Sequence, residues 1–426
     1  MKKGGVWFLV LLSCLSALTG FSGLIASADS SFSVAAKSAI AVDAASGKIL
    51  YAQNATDSTT QIASVTKLLT AYLVYKKIDA GKLKWTDKIK ISDYAYQLTQ
   101  SLEASNIPMA QGESFTVHDL MNALLVSSAN SAAVALAEHI AGSEPKFVDQ
   151  MKAQLKDWGI TDETLVNSSG LPNSVIAGHT YPGSSATAAN TMSAADVAII
   201  SMHLLKEYPE VLTVTKQTDV VFDKGGKSQN TLYTTNQLLA GFAQTRSGVD
   251  GLKTGSTGTT IDCLAATTNQ NDFRIITVVL GTTGTDADHS ATFSQTNLLM
   301  NHVYANWQAQ GIAAKGETLS THKTIAIMDA KSNPVPLVLS QDFYVVMPLG
   351  NSAFSITFTD KSKNLSAPIA PGKTIATASV SYDDKLGYLS GYHASSVNLT
   401  VDKTVERANP FVVLWDHFAN FVNEKL

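Results

Sequence analysis

Residues 60–74 read TQIASVTKLLTAYLV. Ser64 stands three positions before Lys67, where an apolar run with helical character begins. Positions i and i+3 share one face of a helix, so this hydroxyl and this amine can touch. A serine hydroxyl is a poor nucleophile until a base removes its proton. Lysine serves as that base only when neutral, so its pKa must fall by roughly 2–3 units from about 10.4. Burial and a second cation both lower it. A helix N-terminus also disfavours positive charge. By itself the spacing says little, because S-x-x-K recurs at Ser143 (GSEPKF, read as a surface loop) and at Ser320 (STHKT, read as a linker). Ser64 differs in opening an apolar helix.

Two further motifs follow in order. Ser128-Ala129-Asn130 lies in a break between two apolar helical runs, where a tight turn can present a hydroxyl and an amide to a cleft. S-x-N recurs at Ser228, Ser362 and Ser396, so it too is weak alone. Lys253-Thr254-Gly255 ends a predicted strand and is the chain's one K-T-G. The lysine there supplies a second cation. A small Thr and a Gly are expected to let a substrate backbone lie along the strand.

Around these motifs, SAIAVDAASGKILYAQN (38–54) reads as a hairpin. Helices are predicted from Ser64 to Lys77 and from Thr116 to Val126, the second capped by Thr116 with Asp119. Another covers AAVALAEHIAG, and one capped by Ser193 with Asp196 runs through Leu205. Residues 174–190 read as a loop. From Val249 the pattern turns to strands (VDGLKTG, CLAATTN, FRIITVVLG), closed by a helix over SQTNLLMNHVYANW. Strands at both ends of a helical middle predict an α+β domain whose sheet joins the two ends. Residues 324–401 hold short strands between Pro, Gly and Asn, the pattern of a small β-sandwich.

The chain has 426 residues, too many for one ordinary core. Hydrophobic residues make up 45% and charged residues 15%, which excludes disorder. Net charge is −4 and no basic block follows Lys2-Lys3, so nucleic acid is not expected as a partner. Those lysines, the run VWFLVLLSCLSAL and Ala26-Ser27-Ala28 form a signal peptide over 1–28. The protein is therefore expected to be exported. Cys14 leaves with the signal, so Cys263 alone remains and no internal disulfide can form. The nine histidines are scattered, with no metal-site spacing, so neither metal nor cofactor is expected. In PFVVLWDHFANFVNEKL, Phe411, Leu414, Trp415, Phe418, Phe421 and Val422 recur at helical spacing. This is read as an amphipathic helix lying on a membrane surface, with a helix docked on its own domain as the alternative. The domains are thus 1–28, signal; 29–308, catalytic; 309–403, β-sandwich; and 404–426, terminal helix.

The ordered set S-x-x-K, S-x-N, K-T-G is that of penicillin-binding proteins and class A β-lactamases. With VDAASGKILYAQNA, FTVHDLMNALLVSSANSAAVALAEHIAG, TLVNSSGLPN and GVDGLKTGSTGTTIDCLAAT, the chain resembles the serine-type D-alanyl-D-alanine carboxypeptidases. The likeness covers about residues 35–308, and more loosely the C-terminal β-domain and helix. It implies the penicillin-binding fold, an antiparallel sheet flanked by helices, and peptidoglycan stem peptides as substrate. It implies Ser64 as acylating nucleophile, Lys67 as its base and Ser128 as proton relay. Asn130 would hold the substrate amide, and Lys253, Thr254 and Gly255 its carboxylate side. Backbone N–H groups of Ser64 and Ser256 would form the oxyanion hole. Penicillins and other β-lactams would acylate Ser64 and stay. The family usually has an arginine after the VVLG strand; here TTGTDADHSA follows, and Arg274 precedes the strand. The alternatives are a β-lactamase, with Glu163 activating water, a DD-transpeptidase or endopeptidase, and a non-catalytic wall-binding scaffold.

Overall fold

A computed structural model describes residues 32–101, 105–176, 178–256, 262–283, 290–351, 353–362 and 365–425. The segment read as a signal peptide, 1–28, lies outside these, as does His289 in TTGTDADHSA. The expected hairpin is β1 (Ala36–Asp43) with β2 (Ile49–Gln53). Ser64 lies in a 3-10 turn, Ala63–Thr66, and α1 (Lys67–Asp79) begins only at the lysine. The helical middle holds α2 (Asp93–Thr99), α3 (Val117–Leu125), α4 (Asn130–Ala141), α5 (Glu144–Asp157), α6 (Ala194–Glu207) and the short α7 (Val211–Thr215). Small hairpins pair β3 (Lys88–Lys90) with β4 (Ser114–Thr116), and β5 (Asp219–Phe222) with β6 (Asn230–Tyr233).

The capping readings hold. Thr116 Oγ1 accepts from the Asp119 amide at 3.0 Å, and Ser193 and Asp196 form a reciprocal capping box. Ser143 was read as part of a surface loop. It is instead the N-cap of α5, accepting from the Lys146 amide, which accounts for the serine at that position.

β7 (Val249–Ser256), β8 (Asp262–Gln270) and β9 (Phe273–Thr282) complete an antiparallel sheet in the order β2-β1-β9-β8-β7. The N-terminal hairpin thus joins a strand far downstream, with Ala36 opposite Thr282 and Asp43 opposite Ile275. Side chains alternate across the sheet. Ile40, Val42, Ala265, Ile276, Val278 and Leu280 enter the main core with α1 and α3–α6. Ala39, Ala41, Leu264, Ala266, Ile275 and Val279 are equally buried but lie outside that core, on the face where α8 (Ser290–Asn306) packs. Burial on both faces explains why β9 is apolar at adjacent positions (Ile275-Ile276, Val278-Val279-Leu280) rather than alternating.

At Trp307 the helix gives way to β10 (Trp307–Ala313), which pairs with β14 (Phe343–Pro348). β11 (Thr324–Ile325) pairs with β12 (Val335–Pro336). β13 (Val338–Leu339), β15 (Ser355–Asp360), β16 (Ala376–Ser381) and β17 (Ser396–Thr400) form a sheet in the order β13-β17-β16-β15. These strands enclose a second core around Leu337, Phe343, Met347, Ile375, Val397 and Leu399. The two cores are nevertheless fastened together, and Val34–Leu426 form one compact unit. Leu389 and Tyr392, from the segment between β16 and β17, pack with the main core. Lys48, 1% exposed, ion-pairs Asp384 at 2.9 Å and donates to the carbonyls of Ile49 and Gly387.

α9 (Pro410–Lys425) follows the β-domain. His417 Nε2 lies 2.8 Å from Asp329 and Arg407 bonds the same carboxylate, so the helix is tied down by polar groups. Phe411 (86% exposed), Leu414, Trp415 and Phe418 face outward.

Candidate active site

Lys67 is wholly buried, whereas Ser64 is partly accessible. In the 3-10 turn, i and i+3 eclipse, which puts the amine under the hydroxyl. Lys67 Nζ lies 2.7 Å from Ser64 Oγ, 2.7 Å from Asn130 Oδ1 and 2.8 Å from the Ser169 carbonyl. Burial, and then the charge of Lys253, hold its pKa well below the ordinary lysine range. Lys253, 1% exposed, is pushed down to about 7 by burial.

Burial and the nearby Lys253 charge, not the bond count, favour the neutral amine. Asn130 Nδ2 donates to the Ser105 carbonyl at 2.8 Å, so its Oδ1 must face the lysine. That oxygen and the Ser169 carbonyl can only accept. They take two N–H bonds of the amine. In the charged form the third N–H donates to Ser64 Oγ; in the neutral form the lone pair takes that place and can accept the hydroxyl proton, as a general base must.

Ser128 lies between α3 and α4 at φ +63°, a strained position for a residue with a side chain. It is held between a helix end and the buried start of α4, and is itself buried with Asn130. Lys253 and Thr254 come from β7, where Lys253 Nζ donates to Thr254 Oγ1 at 3.3 Å and Thr254 Oγ1 lies 2.5 Å from Thr235 Oγ1. Ser256 ends that strand, exposed. For Gly255 the structure supplies a different reason from the one expected. A Cβ there would come 2.7 Å from the Ile62 carbonyl and 3.2 Å from the Ser64 amide. Glycine lets the strand press against the turn bearing Ser64.

Two polar residues considered for other roles lie elsewhere. Arg274 makes a bidentate pair with Asp250 and is cross-strand from Asn269, at the end of the sheet away from Gly255. Glu163 feels Lys152, Asp162 and Asp196 but is not among the partners of Lys67.

Sequence reasoning missed the loop 167–170. Asn167 Oδ1 accepts from the amides of Ser169 and Gly170, which turns the Ser169 carbonyl toward Lys67. Asn190 ties this loop to the nucleophile's turn, donating to Thr66 Oγ1 and to the Asn167 carbonyl, both at 3.0 Å. The only signal was NSSGLPN itself, quoted for its likeness and given no role.

A serine over a buried lysine, an amide beside it and a K-T-G strand against its turn define a serine acyl-transfer site of the Ser–Lys type. Residues 25–284 match the D-alanyl-D-alanine carboxypeptidase family, and residues 307–407 match the C-terminal domain of penicillin-binding protein 5. A crystal structure titled as a peptidoglycan synthesis regulatory factor (PBP3) from Streptococcus pneumoniae is 42% identical. It has a TM-score of 0.82 and covers 88% of this chain and 100% of its own. The D-alanyl-D-alanine carboxypeptidase DacF of Bacillus subtilis is 29% identical over 352 residues, 82% of each chain. Penicillin-binding protein D2 from Listeria monocytogenes, solved in an ampicillin-bound form, is 30% identical. Its TM-score is 0.51, over 64% of this chain and 98% of its own. The chain belongs to the D-alanyl-D-alanine carboxypeptidase family. It is a serine-type carboxypeptidase and a low-molecular-mass penicillin-binding protein with a C-terminal β-domain.

Proposed function

We propose that the chain removes the terminal D-alanine from peptidoglycan stem peptides through an acyl-enzyme on Ser64. The observation that supports this best is the three-point seat of the buried Lys67, which places its Nζ 2.7 Å from the Ser64 hydroxyl. Ser64 Oγ attacks the carbonyl of the D-Ala-D-Ala bond while Lys67 takes its proton. The amides of Ser64 and Ser256 stabilise the oxyanion. Asn130 holds the substrate amide. Lys253 and Thr254, in the strand fixed by Gly255, attract the terminal carboxylate. Ser128 carries the proton to the departing D-alanine, and water then hydrolyses the ester. A β-lactam enters the same route and stays as the acyl-enzyme.

We further read residues 1–28 as the export signal, 29–308 as the catalytic domain, 309–403 as the β-domain and 404–426 as a membrane contact. The enzyme then works on the outer face of the cytoplasmic membrane. The outward aromatic face of α9 supports that placement.

The test supplies diacetyl-Lys-D-Ala-D-Ala to the mature enzyme and to Ser64→Ala, with free D-alanine and turnover of a chromogenic cephalosporin measured together. Release by the native enzyme alone, with slow cephalosporin turnover, is expected. Fast cephalosporin turnover without D-alanine release would replace this reading with a β-lactamase.

A further inference from the structure

Glu144 is a buried carboxyl that the steps above do not use. It opens α5 and is 5% exposed. Ser143 already caps this helix, so Glu144 is not needed as a cap. Burying a carboxyl in place of an apolar side chain is costly unless its bonds do something specific. Its Oε1 accepts from the Ser168 amide at 2.9 Å and from the Ser168 hydroxyl at 2.6 Å. The Ser168 carbonyl in turn accepts from Thr70 Oγ1 at 2.6 Å. Thr70 stands one turn after Lys67 on α1. The Ser168 peptide is therefore held at its amide, side chain and carbonyl, and the next carbonyl along the chain is the one bonded to Lys67.

We propose that Glu144 is a positioning residue for the acylation base: its carboxyl oxygen fixes Ser168, and through it the Ser169 carbonyl that aligns the Lys67 lone pair on Ser64. This rests on the reading of Lys67 as the base. Without the clamp the Ser169 carbonyl keeps only its orientation by Asn167 through the Gly170 amide, and the loop that carries both can shift away from Lys67. Lys67 then regains a free N–H, and its lone pair no longer has a single direction. The acceptor oxygen is what matters, and the charge is not. Tyr94 on α2 and Glu138 on α4 face the carboxyl, and burial raises its pKa. Lys253 on β7 is the charged group that faces Lys67.

The test compares Glu144→Ala, Glu144→Gln and Lys67→Ala in the full mature chain. A fluorescent penicillin gives the acylation rate constant per active site, the pre-covalent affinity and the pH profile. Active sites are counted by stoichiometric labelling, which removes any misfolded fraction. Glu144→Ala is expected to acylate about 10- to 100-fold more slowly, the range for outer positioning partners. Its pre-covalent affinity should be unchanged and the acid limb of its pH profile displaced. Glu144→Gln keeps the accepting oxygen and should restore both the rate, to within about threefold, and the profile. A native per-site rate and profile in Glu144→Ala, whatever its thermal stability, would overturn the proposal. So would a Glu144→Gln variant as slow as Glu144→Ala. Persistent acylation by Lys67→Ala would instead remove the base reading beneath it.

Discussion

Gly255 and Ser64 are held back to back: a Cβ on the glycine would stand 3.2 Å from the serine amide nitrogen and 2.7 Å from the Ile62 carbonyl. Neither backbone can yield without moving the nucleophile. Gly255→Ala should therefore cost ~1–3 kcal/mol as an overpacking change. It should also slow acylation by up to ~100-fold, as misplacement of a reacting group by about 1 Å does. Thermal melting and penicillin acylation kinetics on the same preparation check both. Native acylation would mean that the turn tolerates displacement.

The two buried lysines give the pH profile its shape. Lys67 must be neutral, and its lowered pKa makes kcat/KM rise with pH at the acid side. Lys253, at about 7, loses the charge that attracts a carboxylate as pH rises past that value, so kcat/KM should then fall. Lys253→Ala removes the repulsion on Lys67, so the acid limb should move to higher pH while KM rises. Steady-state profiles on the tripeptide substrate measure this.

The same pair links pH to stability. Both folded pKa values lie below the unfolded value of about 10.4. Between them the unfolded chain binds more protons than the native one, so this contribution to stability increases as pH rises through that window. Lys253→Met should flatten the increase in denaturant midpoint between about pH 7 and 10.

Lys48 and Asp384 join the catalytic hairpin to the β-domain. Removing one partner strands the other, so Lys48→Ala should cost about 3 kcal/mol. Acylation per active site should stay native, because neither residue touches Ser64 or Lys67. Truncation after Asn306 should destabilise the catalytic portion more, because Leu389 and Tyr392 leave its core. Denaturant unfolding and active-site titration separate the two effects.

The exposed face of α9 predicts surface binding. The double variant Trp415→Glu, Phe418→Glu should lower partitioning onto anionic lipid vesicles at least ~10-fold, by loss of buried apolar area and gain of like charge. Sedimentation with vesicles measures it, and D-alanine release in solution should not change. Equal partitioning by both forms would remove the membrane role of the helix.

Much of this was legible in the chain because it is local. Ser64 and Lys67 meet through one turn, Thr116 and Asp119 through one cap, and the strands around Lys253 show themselves by composition. The 3-10 geometry at Ser64 was not legible, since a turn of either kind places i+3 on the same face. Nor was the N-cap role of Ser143, which shares the S-x-x-K spacing of a nucleophile and base. Arg274 stood near the right strand in sequence, but strand direction carried it to the opposite end of the sheet.

The sequence by itself determined the pairing of Ser64 with Lys67, the order of the three motifs and the α+β class, because short-range spacing and periodicity encode them. Only the tertiary structure decided what tunes them. The Ser169 carbonyl on Lys67 and the Glu144 carboxyl on Ser168 join positions 102 and 24 residues apart, and the Lys48 clamp spans the two cores. The Lys67 contact ends on the Ser169 carbonyl and one Glu144 bond on the Ser168 amide, main-chain groups that carry no side-chain signature. No side-chain pattern announces them until the chain has folded and burial makes each unpaired group costly.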